Sequence, residues 1–95
     1  MDRFLAMKVF ARVVEAGSFS KAADALRLPP ASVSRMLQAL EAHLGARLIN
    51  RMTRSISITE DGEAYYEHER CVRVLGEVDD MEASLSHSKL SPRAT

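Results

Sequence analysis

Between Leu28 and Gly45 the chain reads Leu-Pro-Pro-Ala-Ser-Val-Ser-Arg-Met-Leu-Gln-Ala-Leu-Glu-Ala-His-Leu-Gly, a helix marked at both ends. Pro30 suits the first helical position, where a missing N–H costs nothing and φ is already helical. Gly45 suits the left-handed residue just past the last turn. Val33, Leu37, Leu40 and Leu44 recur at spacings of four, three and four, one apolar stripe on a helical period. The opposite face is small or hydrogen-bonding near its N-terminal end, with Ala31, Ser32, Ser34, Arg35 and Gln38. Helix N–H groups also point outward there and favour an anion. A short Ala-rich helix, Ser20 to Leu26, comes just before, and only Arg27, Leu28 and Pro29 separate the two. This is helix-turn-helix order, in which the second helix is the one offered to a DNA groove.

The remaining elements serve that pair. Asp2 can cap a first helix running to about Ala16 and ended by Gly17, with Phe4, Leu5, Met7, Phe10, Val13 and Val14 covering more than one face. So broad an apolar coverage predicts a buried scaffold helix. Phe10 and Val14 lie under the next two helices, where each large side chain contributes roughly 1.5–3 kcal/mol on burial. Ser18 or Ser20 caps the second helix, capping being favoured over a phosphate contact, and Ala22, Ala23 and Leu26 let the third helix approach closely. After Gly45 the period changes to two. Arg47 to Asn50 and Ser55 to Ile58 read as the strands of a wing, with a basic tip at Arg51-Met-Thr-Arg54 and with Ile56 and Ile58 turned to the helices. An isolated hairpin is barely stable, so the wing must lean on the helical core.

Thr59 begins a long helix whose Glu60, Asp61 and Glu63 complement its N-terminal dipole, running to about Ser86. Cys71, Leu75, Val78 and Leu85, flanked by Val74 and Met81, form an apolar seam on a helix too long for so small a core to cover. An uncovered seam predicts a partner helix. The tail from Ser86 loses periodicity and contains Pro92, as a hinge or frayed end would.

Composition separates the chain into two electrostatic halves. The formal net charge is zero, yet residues 1–54 hold nine Lys and Arg against four Asp and Glu, whereas residues 55–95 hold four against nine. A polyanion is therefore expected to meet the first half only. The single cysteine, Cys71, permits no intrachain disulfide, which suits a reducing compartment. Lys8 and Arg12 interrupt the apolar N-terminal run, so neither a signal-peptide core nor a membrane span is expected. His43, His68 and His87 are scattered, and His68 with Cys71 offers too few ligands for zinc. There is no Gly-x-Ser-x-Gly elbow and no phosphate-cradling glycine loop, so neither an enzyme nor a cofactor site is expected.

The run from Ser18 to Thr59 resembles the N-terminal domain of the LysR-type transcriptional regulators, and the resemblance covers nearly the whole chain. The resemblance rests on Gly17-Ser-Phe-Ser-Lys-Ala-Ala, Val33-Ser-Arg-Met-Leu-Gln-Ala-Leu-Glu41, Leu44-Gly-Ala-Arg-Leu48, Arg51-Met-Thr-Arg54 and Ile58-Thr-Glu-Asp-Gly62. It implies a mainly α, winged helix-turn-helix fold: a three-helix core plus a two-stranded β wing over residues 1–58, a dimerisation helix over 59–88, and a hinge or disordered tail over 89–95. It also implies sequence-specific binding of double-stranded DNA by a cytoplasmic bacterial regulator, as a homodimer on an inverted repeat. The proposed DNA contacts are Ala31, Ser32, Ser34, Arg35 and Gln38 on the recognition helix with Arg51, Thr53 and Arg54 on the wing. Arg54 is placed in or beside a minor groove. The dimer seam is Cys71, Val74, Leu75, Val78, Met81 and Leu85.

Family members continue into an effector-binding domain. On that resemblance the chain reads as a fragment ending near Pro92, of a protein that is tetrameric at full length and meets its small-molecule effector elsewhere. Where the family commonly carries a Gln at the start of the recognition helix, this chain has Pro30, so readout there shifts to apolar contact or to neighbours. Met36 likewise stands where Gln or His is frequent. A winged-helix module that binds protein through the wing and long helix is the alternative reading.

Overall fold

The computed structural model describes residues 2–51 and 56–90, with the side chains of 87–90 excepted. Four helices and two short strands follow one another as α1 (Arg3–Ala16), α2 (Phe19–Leu26), α3 (Pro30–Leu44), β1 (Ile49–Asn50), β2 (Ser57–Ile58) and α4 (Glu60–Leu90). The architecture is a mainly helical winged helix-turn-helix with a long terminal helix, as the residue pattern predicts.

Local chemistry sets each boundary. The Asp2 carboxylate accepts from the Phe4 and Leu5 backbone N–H groups at 3.1 Å each, and α1 ends where Gly17, at φ 76°, donates to the Val13 carbonyl. Ser18 caps α2 by accepting from the Lys21 N–H at 3.1 Å, with Ser20 Oγ 3.5 Å away. Arg27 turns the chain between α2 and α3 at φ 57°, a left-handed conformation that costs a non-glycine residue about 1–2 kcal/mol. Its N–H and that of Leu28 close the end of α2 on the Asp24 and Ala23 carbonyls. Pro30 occupies the first position of α3, and Gly45 ends it at φ 67°.

The core is the meeting of α1, α2 and α3, with β1 below. Ala6, Val9, Phe10 and Val13 of α1 meet Ala22 and Ala23 of α2, Val33, Leu37 and Leu40 of α3, and Leu48 and Ile49. Tyr65 of α4 closes one side, its ring edge-on to Phe10 with centroids 5.6 Å apart. Ile56 and Ile58 pack against this cluster from the wing, as their period of two predicts.

Four expectations need correction. The α1 helix is not buried on all its apolar faces: Phe4 is 69% and Leu5 41% exposed, because α2, α3 and α4 shield only the stripe through Phe10. Leu44, at the last residue of α3, is also exposed. Among the described residues the wing ladder is shorter than eight alternating residues suggest, with Ile49 opposite Ile58 and Asn50 opposite Ser57. The Arg47 and Leu48 carbonyls instead accept from the Thr59 hydroxyl, at 2.6 and 3.2 Å, and Leu48 from the Thr59 N–H at 3.0 Å. Thr59 Oγ1 in turn accepts from the Gly62 N–H at 2.9 Å, capping α4. That helix also extends past Ser86, to Leu90.

Candidate nucleic-acid interface

The α3 helix offers its outer face and its N-terminal end to solvent. Pro29 holds the cap position with no side-chain hydrogen bond, so among the described residues the positive end of the helix dipole carries no side-chain cap. Ala31, Arg35 and Gln38 are exposed, and Ser32 and Ser34 are half-buried. The two long polar side chains look to different neighbours. Arg35, with Met36 and Ala39, lines a shallow apolar recess shared with Leu5 of α1. Gln38 lies on the wing side.

There, an open cleft of about 540 Å³ runs between α3 and the residues that flank β1, lined by Gln38, Glu41, Ala42, Arg47 and Arg51. It gathers two arginines beside the outer face of the helix. Arg51 is tethered: its Nη2 lies 3.2 Å from Glu41 Oε1, and its guanidinium stacks over the Phe19 ring at 5.2 Å. Arg47 is exposed and was not singled out from the sequence. Its signal was the recurrence of basic residues at 47, 51 and 54. Thr53 and Arg54 lie outside the described residues.

The seam proposed for pairing is open to solvent. Val74, Leu75, Val78, Met81 and Leu85 are between 40% and 62% exposed, and Cys71 is an exposed free thiol. So much apolar surface along one helix is unusual for an isolated domain. Phe4, which residue patterning assigned to the interior, opens into a groove between α1 and α4 lined also by Met7, Val72 and Gly76.

A polar cluster holds the base of α4 to α1. Glu15 Oε2 accepts from the Tyr66 hydroxyl at 2.8 Å and lies 3.4 Å from Arg73 Nη2, while Oε1 pairs with Arg12 at 2.7 Å. Arg73 also lies 3.5 Å from the buried carboxylate of Glu69. Burial pushes the Glu15 carboxyl up, but the Tyr66 hydrogen bond and the Arg12 and Arg73 charges outweigh it and hold the group below its ordinary value. The same bond to Glu15, with burial, raises the Tyr66 phenol.

Residues 4–63 match the model of the bacterial regulatory helix-turn-helix proteins of the LysR family. The chain belongs to that family. Over 92 residues it is 49% identical to an HTH-type transcriptional repressor of Pseudomonas aeruginosa (strain UCBPP-PA14), covering 97% of this chain and 28% of that one. It is 43% identical over 95 residues to the HTH-type transcriptional activator AaeR of Escherichia coli (strain K12), covering all of this chain and 30% of AaeR. This LysR-family chain thus spans under a third of either relative. Among solved structures it superposes on the BenM DNA-binding domain in its complex with catB site 1 DNA, with TM-score 0.77 and 34% identity over 96% of this chain and 97% of that one. The correspondence extends through α4, beyond the matched helix-turn-helix itself.

Proposed function

We propose that this chain is the DNA-binding part of a bacterial LysR-type transcriptional regulator and reads an inverted repeat in double-stranded DNA as a homodimer. The observation that carries the reading is the uncapped, polar outer face of α3 lying beside the arginine-lined cleft of the wing. Similarity over nearly its whole length to a domain solved on DNA supports it.

In this reading the N-terminal end of α3 enters a major groove with Ala31, Ser32 and Arg35 nearest the base edges, Gln38 deeper along the same face, and Ser34 and Thr53 on phosphates. Arg51 and Arg54 carry the wing's positive charge to the adjacent backbone and minor groove. Pro30 presents only apolar surface, so discrimination falls to its neighbours. The seam through Leu75 and Val78 pairs two copies and sets the spacing of the half-sites. Within the longer proteins of this family, tetramerisation and response to a small-molecule effector belong to the remaining length, and the working compartment is the cytoplasm.

Selection of bound duplexes from a random pool tests the reading. An enriched inverted repeat, held by a dimer, is expected. A chain that stays monomeric at micromolar concentration and retains no duplex at low ionic strength would overturn it.

A further inference from the structure

We infer that Glu41 is a positioning residue for nucleic-acid binding, setting where Arg51 and the start of the wing stand relative to the outer face of α3. The inference rests on the DNA-binding reading above. Glu41 sits near the C-terminal end of α3, and its side chain is only 12% exposed. Its backbone carbonyl accepts from the Gly45 and Ala46 N–H groups and so ends the helix. Its carboxylate does something different. Oε2 accepts from the Leu48 and Ile49 N–H groups at 2.7 and 3.2 Å, and Oε1 accepts from Arg51 Nη2 at 3.2 Å.

One carboxylate therefore ties the start of the wing to the recognition helix at three points. Each bond is charge-assisted and largely withdrawn from water, which strengthens it. Among the described residues the wing's ladder is two residue pairs, too short to be stable alone, so its position depends on ties to the helices: the Leu48, Ile49 and Ile58 side chains in the core, Thr59 on the Arg47 and Leu48 carbonyls, and this carboxylate. The tie continues to α2, because the Arg51 guanidinium carbon lies over the ring of Phe19, 5.2 Å from its centroid, at the first position of that helix. Glu41, Arg51 and Phe19 thus join α3, the start of the wing and α2 beside the cleft that Gln38 and Arg47 line.

The sign of a substitution separates this role from a plain electrostatic one. A carboxylate beside a phosphate backbone repels it, so removing the charge should tighten DNA binding if charge were all that mattered. Positioning predicts the reverse. In Glu41→Gln the amide keeps one acceptor and turns a donor toward donors, which releases at least one of the three ties.

With a duplex that the parent chain binds, Glu41→Gln is expected to weaken affinity about tenfold, the effect of one lost charge-assisted hydrogen bond, at a temperature where circular dichroism shows it folded. Because wing contacts are lost, the dependence of log K on log salt should also flatten. Arg51→Gln should then cost less in the Glu41→Gln background than in the parent. Equal or tighter binding by Glu41→Gln, or additive effects of the two substitutions, would overturn the inference. If Glu41→Gln does not fold, Phe19→Leu and Arg51→Gln carry the test, with weakened binding and non-additivity expected and additivity overturning it. A parent chain that binds no duplex would instead refute the DNA-binding reading, so the two failures are distinguishable.

Discussion

Gly62 lies in the first turn of α4, and a Cβ there would run into the Leu48 carbonyl and the Ile58 side chain. The backbone of the wing's first strand is therefore packed directly on the helix, an approach only glycine allows. Gly62→Ala should destabilise the fold by about 1–3 kcal/mol through overpacking, visible as a lowered midpoint in urea with an unchanged slope. Glu15 carries a second residue-scale expectation. Its carboxyl is held below the ordinary value of 4.5, so its contribution is complete above that pH and fades as pH falls through the lowered value. Tyr66, raised above 10.0, contributes fully below that value and fades as pH rises through the raised one. Thermal stability should therefore decline at both extremes, and Glu15→Gln should flatten the acid side of a melting-temperature profile. An unchanged acid limb in that variant would count against the α1–α4 cluster. At this scale the helix boundaries at Asp2, Gly17, Pro30 and Gly45 were legible in the residues, since each is a local conformational preference. The three-way grip of Glu41 was not, because its partners lie seven to ten residues away across a turn.

Among the elements, α4 shows most clearly what a helix does when its own domain cannot cover it. Thirty-one residues span roughly 46 Å at 1.5 Å each, against cross-sections of 26 and 22 Å for the molecule. Its first turns, through Tyr65, Tyr66 and Glu69, pack on α1, and the rest carries the open seam. Replacing Leu75 and Val78 together by Asp should convert dimer to monomer in sedimentation at micromolar concentration. Binding to an inverted repeat should fall much further than binding to one half-site, because joining two weak contacts multiplies their affinity. A double variant that remained dimeric would show that the seam is not the pairing surface. Periodicity located this seam, since spacing on one helix needs no tertiary knowledge. The same method misplaced Phe4 and Leu5 and lengthened the wing strands, because the extent of burial depends on which neighbours arrive.

Across the whole molecule the charge is segregated, with the excess of Lys and Arg in residues 1–54 and the excess of Asp and Glu in residues 55–95. A polyanion approaching the helix tip and wing is attracted, while the acidic helix discourages it from lying along the rest. If six to ten phosphates are neutralised by the dimer, affinity should drop about 10³–10⁵-fold between 50 and 200 mM salt. A salt-independent affinity, measured by fluorescence anisotropy, would exclude this mode of binding. The order of the elements, the helix-turn-helix junction, the family motifs and the apolar seam along α4 followed from the sequence alone. Each is encoded by neighbours within a few turns of chain, through period, caps and turn residues. The register of the wing, the cleft shared by Gln38, Arg47 and Arg51, and the exposure of Phe4 were decided only by the tertiary structure. They depend on surfaces that meet across the core, and a single carboxylate on α3 settles which backbone groups of the wing it holds.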